Sequence, residues 1–343
     1  MILHNKVDAK ILKERIQQSE EQRTTISFYT YHPIKNPTFF RDYLFIHMEP
    51  LGVLGRIYVA HEGINAQISV PTVRFNAFKD FLYSIEFLNQ IRLNLAIEDD
   101  GKSFFKLAIK VREKIVADGI DDPQFDVNNS GKHLTALEFN ALCEDPETVI
   151  VDMRNHYESE IGHFHNAICP DVDTFREQLP LVADMLKDKK DKKVIMYCTG
   201  GIRCEKASAY LKYQGFNDVY QLNGGIIEYA RQIKQQGLPN KFRGKNFVFD
   251  ERLAEAVNNE VIAHCHQCGS PCDSHVNCAN TGCNLLFIQC AKCATIHNHC
   301  CSDKCVEVIS WDEEKQKEWR KNNAVNKKIF NKGRIALTRF KTT

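Results

Sequence analysis

Residues 194–211, "VIMYCTGGIRCEKASAYL", run an apolar stretch into Cys198, Thr199, Gly200, Gly201, Ile202 and Arg203, and a helical pattern resumes at Ala207, Tyr210 and Leu211. A cysteine at the carboxyl end of a buried strand, just before a helix N-terminus, is placed for thiolate chemistry. The two glycines let the loop turn its N–H groups inward, and those donors, with the helix dipole, favour an anion and depress the thiol pKa. Arg203 adds a fixed positive charge and paired donors for an anion seated above the sulfur. An isolated cysteine at a strand end is ordinarily structural; strand, glycines, arginine and helix together point to a reaction.

A second concentration of soft ligands follows. Ten of the fourteen cysteines fall between Cys265 and Cys305. "CHQC" (Cys265, Cys268) and "CAKC" (Cys290, Cys293) are two Cys-x-x-Cys pairs separated by 21 residues, a pattern that can give four thiolates to one tetrahedral zinc. Cys272, Cys278, Cys283, Cys300, Cys301 and Cys305 could furnish a second site, with His264, His266, His275, His297 and His299 as further ligand options. Redox-active thiols or an iron–sulfur cluster are the alternatives; structural zinc is the expectation, because a module this small lacks an apolar core.

These groups need a scaffold. With 343 residues, 43% hydrophobic and 26% charged, the chain is long enough for two or three globular domains. No stretch reaches the roughly 20 apolar residues that span a bilayer, and the N-terminus lacks an apolar core with a cleavage site. The expectation is a cytoplasmic protein with no membrane partner, whose cysteines stay reduced. The net charge of +1 gives no global attraction to nucleic acid, yet the last 29 residues, from Lys315, hold ten Lys or Arg against one acid. Trp311, Trp319, Phe330 and Phe340 interleave with those charges, a mix suited to phosphates and unpaired bases.

Residues 1–125 read as strand, helix, strand, strand, helix, strand, with the closing strand in "FKLAIKVREKIV" (105–116), which suggests a ferredoxin-like α+β sandwich. The polar stretch 121–132 is the linker candidate. In 126–240, "TVIVDM", "NAICP" and "VIMYC" are short apolar runs separated by helical stretches, the alternation of an α/β domain with a mostly parallel sheet. Residues 241–343 form a small cysteine-rich module with a basic tail, opened by a helical-looking "DERLAEAVNN" (250–259). The fold class expected is α/β multidomain.

The loop from Cys198 to Arg203 resembles that of the rhodanese family: cysteine, four residues, arginine. "DMRNHYESEIGHFHNA" (152–167) is similar to that family's upstream motif, carried by Asp152, Arg154, Glu158, Gly162, His163 and Ala167, and "VYQLNGGIIEYARQ" to its closing strand and Gly-Gly turn. The resemblance implies a persulfide on Cys198, the loop being one residue too short for a phosphatase's tetrahedral phosphate. Asp152 and Arg154 would then tie the scaffold together, and Cys204 is either a resolving thiol or a small helix-facing residue.

Beyond the loop, "AHEGINAQIS" (60–69), "KVREKIVADG" (110–119), "SGKHLTALEFN" (130–140) and the cysteine module resemble the bacterial rhodanese-domain tRNA uridine hydroxylase family. That resemblance implies oxygen-dependent 5-hydroxylation of the wobble uridine at position 34, with the loop cysteine required, tRNA as partner through its anticodon region, and a sulfur donor or reductant. No flavin or nicotinamide fingerprint accompanies it, although oxygen usually needs a metal or flavin. A sulfurtransferase and a zinc-stabilised RNA-binding protein with a scaffold rhodanese domain are the competing readings.

Overall fold

Alternation of apolar and polar side chains between Arg23 and Pro71 decides the first part of the fold. A computed structural model of the chain describes residues 7–322. It begins with α1 (Ala9–Gln18), β1 (Arg23–Tyr31), α2 (Pro37–Met48), β2 (Leu54–Ala60), β3 (Gly63–Pro71), α3 (Phe75–Tyr83), β4 (Asn94–Leu95) and β5 (Leu107–Val111). The sheet order is β4-β1-β3-β2-β5. Ile26, Phe28, Ile57, Val59, Ile64, Ala66 and Ile68 cluster with Leu44 and Met48 of α2 and with Phe78 and Leu82 of α3. Burial of a large side chain of this kind contributes about 1.5–3 kcal/mol. With the strand period of two, the intervening residues turn to the opposite face. Register sets Tyr29, Asn65 and Tyr58 in one row across three strands, and Ser27, Gln67 and Arg56 in the next.

The ferredoxin-like core is present as β4-β1-β3-β2, antiparallel throughout. Its closing strand, however, is Asn94–Leu95 rather than 105–116, and two residues are too few to leave an alternating pattern. The strand Leu107–Val111 is instead a fifth member, added parallel to β2.

The middle of the chain gives β6 (Lys132–Leu134), α4 (Ala136–Leu142), β7 (Val149–Asp152), α5 (His156–Ser159), β8 (Gly162–Phe164), α6 (Phe175–Met185), β9 (Lys193–Tyr197), α7 (Ile202–Tyr213), β10 (Asp218–Leu222) and α8 (Gly225–Gln236). Its sheet, β6-β10-β9-β7, is parallel at every pairing. "NAICP" contributes a single bridge, Ile168 to Val151, rather than a strand, because Asn166 at φ 61° turns the chain just before it.

The remainder comprises β11 (Phe242–Phe247), β12 (Ala254–Ala256), β13 (His275–Asn277), β14 (Leu286–Ile288), α9 (Ala291–Ile296), α10 (Asp303–Ile309) and α11 (Glu313–Asn322). The helix expected over 250–259 is absent: Leu253 adopts φ 61° and Ala254–Ala256 pairs with β11. Tertiary pairing overrides the helical propensity there, with buried Glu255 accepting from Arg252 at 2.5 Å. No helix among the described residues is long and apolar enough to cross a membrane. Phe330 and Phe340 of the basic tail lie outside the described residues.

Part of the outer face of the first sheet docks against α7. Lys206, 2% exposed, puts its ammonium on Glu62 Oε1 and Oε2 at 2.9 and 2.7 Å and on Asp118. Glu62 also accepts from the Ile115 amide at 2.7 Å, and Asp118 from the Ile120 amide at 2.7 Å. Two further segments therefore converge on one buried cation of α7. Lys206→Met leaves two carboxylates without that counter-charge and should cost about 3–5 kcal/mol, read as a lower urea midpoint. The triple change with Glu62→Gln and Asp118→Asn should recover part of the loss; a neutral Lys206→Met would show that the joint is held by other contacts.

Candidate active site

Cys198 follows β9 directly and its side chain is fully buried. Gly201, at φ 101°, turns the loop into α7 and donates its amide to Cys198 Sγ at 3.2 Å. A Cβ on Gly201 would stand 2.7 Å from the Tyr29 hydroxyl, so glycine is required both by the backbone angle and by the approach of the first sheet. Below the loop, the amides of Ile226 and Ile227 at the start of α8 donate to the carbonyls of Cys198 and Thr199 at 3.0 and 3.2 Å. Gly225 allows that contact, since a Cβ there would meet the Cys198 carbonyl oxygen at 2.5 Å. With those carbonyls engaged beneath, loop N–H groups are left to face the sulfur.

Burial alone would raise the Cys198 thiol. A hydrogen bond from the Cys204 thiol, the charge of Arg203 and the amides of Cys204 and Gly201 outweigh it and bring Cys198 down to about 6. Burial and the neighbouring Cys198 sulfur push Cys204 well up, so Cys204 remains a thiol and serves as donor. Arg203 does not offer its fork to an anion above the sulfur. Both terminal nitrogens donate to the fully buried Glu158, at 2.6 and 2.8 Å, because that carboxylate would otherwise lie uncompensated in the interior. Its contribution at Cys198 is a fixed positive field.

Asp152 and Arg154 form a fully buried pair outside the cleft lining. Arg154 Nε and Nη2 donate to the carboxylate at 2.9 and 2.6 Å, and Nη2 also reaches the Gly162 carbonyl at 2.5 Å, fastening β7 to β8.

A cleft of about 670 Å³ separates the loop from the first sheet. That lies within the roughly 300–1,000 Å³ usual for organic ligands. Cys198, Thr199 and Gly200 form its floor; Tyr29, Tyr58, Asn65 and Gln67 face them from the sheet. The Thr199 hydroxyl has no hydrogen-bond partner among the described residues, which leaves it available to a ligand. Tyr29 reaches past the cleft to donate to Glu205 at 3.1 Å, and Tyr31 donates to the Ile202 carbonyl at 3.1 Å, so the sheet is pinned to the start of α7. Sequence reasoning missed Tyr29, Lys206 and the donor role of Cys204. Lys206 and Cys204 lay inside the quoted loop motif, where a lysine in a helix buried on nearly every side was the available signal.

The cysteine module gathers two groups of four: Cys265, Cys268, Cys290 and Cys293, and Cys278, Cys283, Cys301 and Cys305, all ligand atoms in each within 4.8 Å of one another. Cys268 to Cys290 is 3.7 Å, Cys283 to Cys301 is 3.7 Å and Cys301 to Cys305 is 3.8 Å. A tetrahedron of thiolates around a metal at about 2.3 Å has sulfur–sulfur edges of about 3.8 Å, so both donor sets fit one metal ion each. Cys272 and Cys300 stand outside both groups. Among the described residues no histidine joins them; His266 Nε2 instead faces Glu160 at 2.8 Å.

Comparison with known proteins places this arrangement. Sequence profiles match a UPF0176 acylphosphatase like domain over residues 23–115, a rhodanese-like domain over 135–232 and a rhodanase C-terminal region over 243–306. A tRNA uridine(34) hydroxylase from Enterobacter sp. (strain 638) is 57% identical over 98% of this chain and 97% of its own length. The chain belongs to the tRNA uridine(34) hydroxylase family. A second member, from Pectobacterium carotovorum subsp. carotovorum (strain PC1), is 58% identical over 98% of this chain and 95% of its own. The solution structure of an Anabaena rhodanese-like domain is 22% identical, covering 33% of this chain and 78% of that one, with a TM-score of 0.26. In this hydroxylase-family chain the rhodanese loop is roofed by the acylphosphatase-like sheet, and the cleft needs both.

The low thiol value makes the loop testable. Alkylation of Cys198 by iodoacetamide should have a midpoint near pH 6, with the thiolate present above it and lost on acidification. Cys204→Ala should move that midpoint upward, and Cys204→Ser, which keeps a donor, should hold it. A midpoint near the ordinary 9.0 in the unaltered protein would contradict the donor network.

Proposed function

We propose that this chain hydroxylates carbon 5 of uridine 34 in tRNA, with Cys198 at the reacting base and molecular oxygen as co-substrate. The carrying observation is the cleft: a depressed-pKa sulfur on the floor, faced by tyrosine rings and side-chain amides. An unpaired wobble base can stack on the ring of Tyr58 while Asn65 and Gln67 meet the O4 and N3–H edge, each amide offering a donor and an acceptor.

Cys198 Sγ, as thiolate, adds to carbon 6 of the uracil. The pair of the 5,6 double bond moves toward O4, which makes carbon 5 electron-rich and open to the oxidant. Once carbon 5 carries the oxygen, loss of its proton expels Cys198 Sγ from carbon 6 and restores the 5,6 double bond, so the net change is C5–H plus oxygen, two electrons and two protons to C5–OH plus water. The two electrons come from an external thiol reductant, two thiols becoming one disulfide, and the same loop amides would stabilise a persulfide left on Cys198 by a sulfur donor. Arg203, held by Glu158, is a positioning residue that keeps the sulfur anionic. The reaction belongs in the cytoplasm, where tRNA is matured.

Zinc is the metal we assign to both four-cysteine groups, on the all-sulfur donor sets and their spacing. It supplies folding free energy to a module with little apolar core. Cys265, Cys268, Cys290 and Cys293 would hold one ion; Cys278, Cys283, Cys301 and Cys305 the other.

Mass analysis of tRNA nucleosides from cells carrying only Cys198→Ser should show 5-hydroxyuridine lost. Unchanged hydroxyuridine with lost thiouridine would establish sulfur transfer instead, and unchanged amounts of both would make the rhodanese unit a scaffold. Elemental analysis of the purified protein should give two zinc per chain. Cys290→Ser should halve that figure, whereas Cys272→Ser and Cys300→Ser should leave it at two; iron in place of zinc would overturn the assignment.

A further inference from the structure

The outer face of the first sheet continues past the cleft to its β5 edge, and a second cleft of about 520 Å³ opens there, sharing Arg56, Tyr58 and Phe249 with the first. Parallel register sets Arg56 beside Ala108 and Tyr58 beside Lys110. Arg56, Lys106, Lys110 and Arg112 are all exposed, and none has an ion-pair partner among the described residues. They lie against rings instead: Arg56 is 5.9 Å from the centroid of Phe104, Lys106 5.6 Å from Phe105 and Arg112 5.4 Å from Tyr58. The acids in this cleft are engaged elsewhere, Asp250 by Arg252 at 2.5 Å and Glu251 by Lys13 at 2.9 Å. A chain whose net charge is +1 thus concentrates four uncompensated cations and three rings along one strip that starts at the thiolate cleft. Cations tracking a backbone, with aromatic faces for bases between them, is the pattern that holds single-stranded nucleic acid without reading its sequence.

We infer that the β2–β5 face is an RNA track, holding the phosphates and one flanking base of the anticodon loop next to the uridine that enters the cleft. This rests on the reading of the cleft as a wobble-uridine site and extends it to the partner's path across the protein. Lys106, just before β5, and Lys110 within it are four residues apart, about 13 Å in extended chain, and meet separate phosphates, and Tyr58 lies at the junction of both clefts.

The test is binding of a synthetic anticodon stem-loop bearing U34 to the full-length protein, followed by fluorescence anisotropy from 50 to 200 mM salt. Each cation on a single strand contributes about 0.7 to the slope of log affinity against log salt. Lys106→Ala with Lys110→Ala should therefore weaken binding and flatten the slope by about 1.4, and the Lys106→Arg, Lys110→Arg protein should restore it. Both variants alter exposed side chains, and a thermal melt matching the unaltered protein confirms that they fold. An unchanged slope in the double alanine variant overturns the track, decisively so if Lys327→Ala with Lys328→Ala in the tail flattens it instead. Absence of 5-hydroxyuridine formation by the unaltered protein would sink the hydroxylase reading alone, because the slope is read without turnover.

Discussion

The buried ammonium of Lys206 sets the relation between two halves of the site. A cation this deep is tolerated only if carboxylates surround it, and Glu62 and Asp118 come from the first sheet's β2–β3 turn and from the segment after β5. Because those carboxylates also accept backbone amides, their segments cannot shift without losing both kinds of bond. The triad does little for net stability compared with a well-packed apolar alternative. What it supplies is position: Tyr29 and Tyr31 reach α7, and the cleft keeps a fixed depth above Cys198.

The sulfur itself depends on opposed effects. Full burial disfavours a thiolate, and water could not lower it there. The chain replaces solvent with a thiol, two amides and the guanidinium of Arg203, each fixed before any ligand arrives. Arg203 shows how this constraint shapes roles. The Nη1 and Nη2 bonds to Glu158 fix the guanidinium in place, and from there it lowers the thiol as a standing positive charge.

Legibility in the sequence followed the range of the determining contacts. The Cys198 loop was readable because strand end, glycines and helix start are local, and alternation in β1, β2 and β3 marked a half-buried sheet. β4 was lost because two residues carry no period, and the stretch at 250–259 was misread because its strand exists only through pairing with β11. The four-cysteine partition was half readable: Cys-x-x-Cys pairs announce themselves, whereas exclusion of Cys272 and Cys300 depends on how the chain folds back. The Arg203–Glu158 pair was invisible for the same reason, although both residues stood in quoted motifs.

The two cysteine groups are interleaved along the chain. Cys278 and Cys283 lie inside the loop that Cys268 and Cys290 close, while their partners Cys301 and Cys305 lie beyond it. Closing the first loop shortens the search that the second must make, since loop-closure entropy falls with the length of free chain. The two groups therefore share one stretch of chain rather than standing as two beads on a string, so ordering either set constrains the loop from which the other is built.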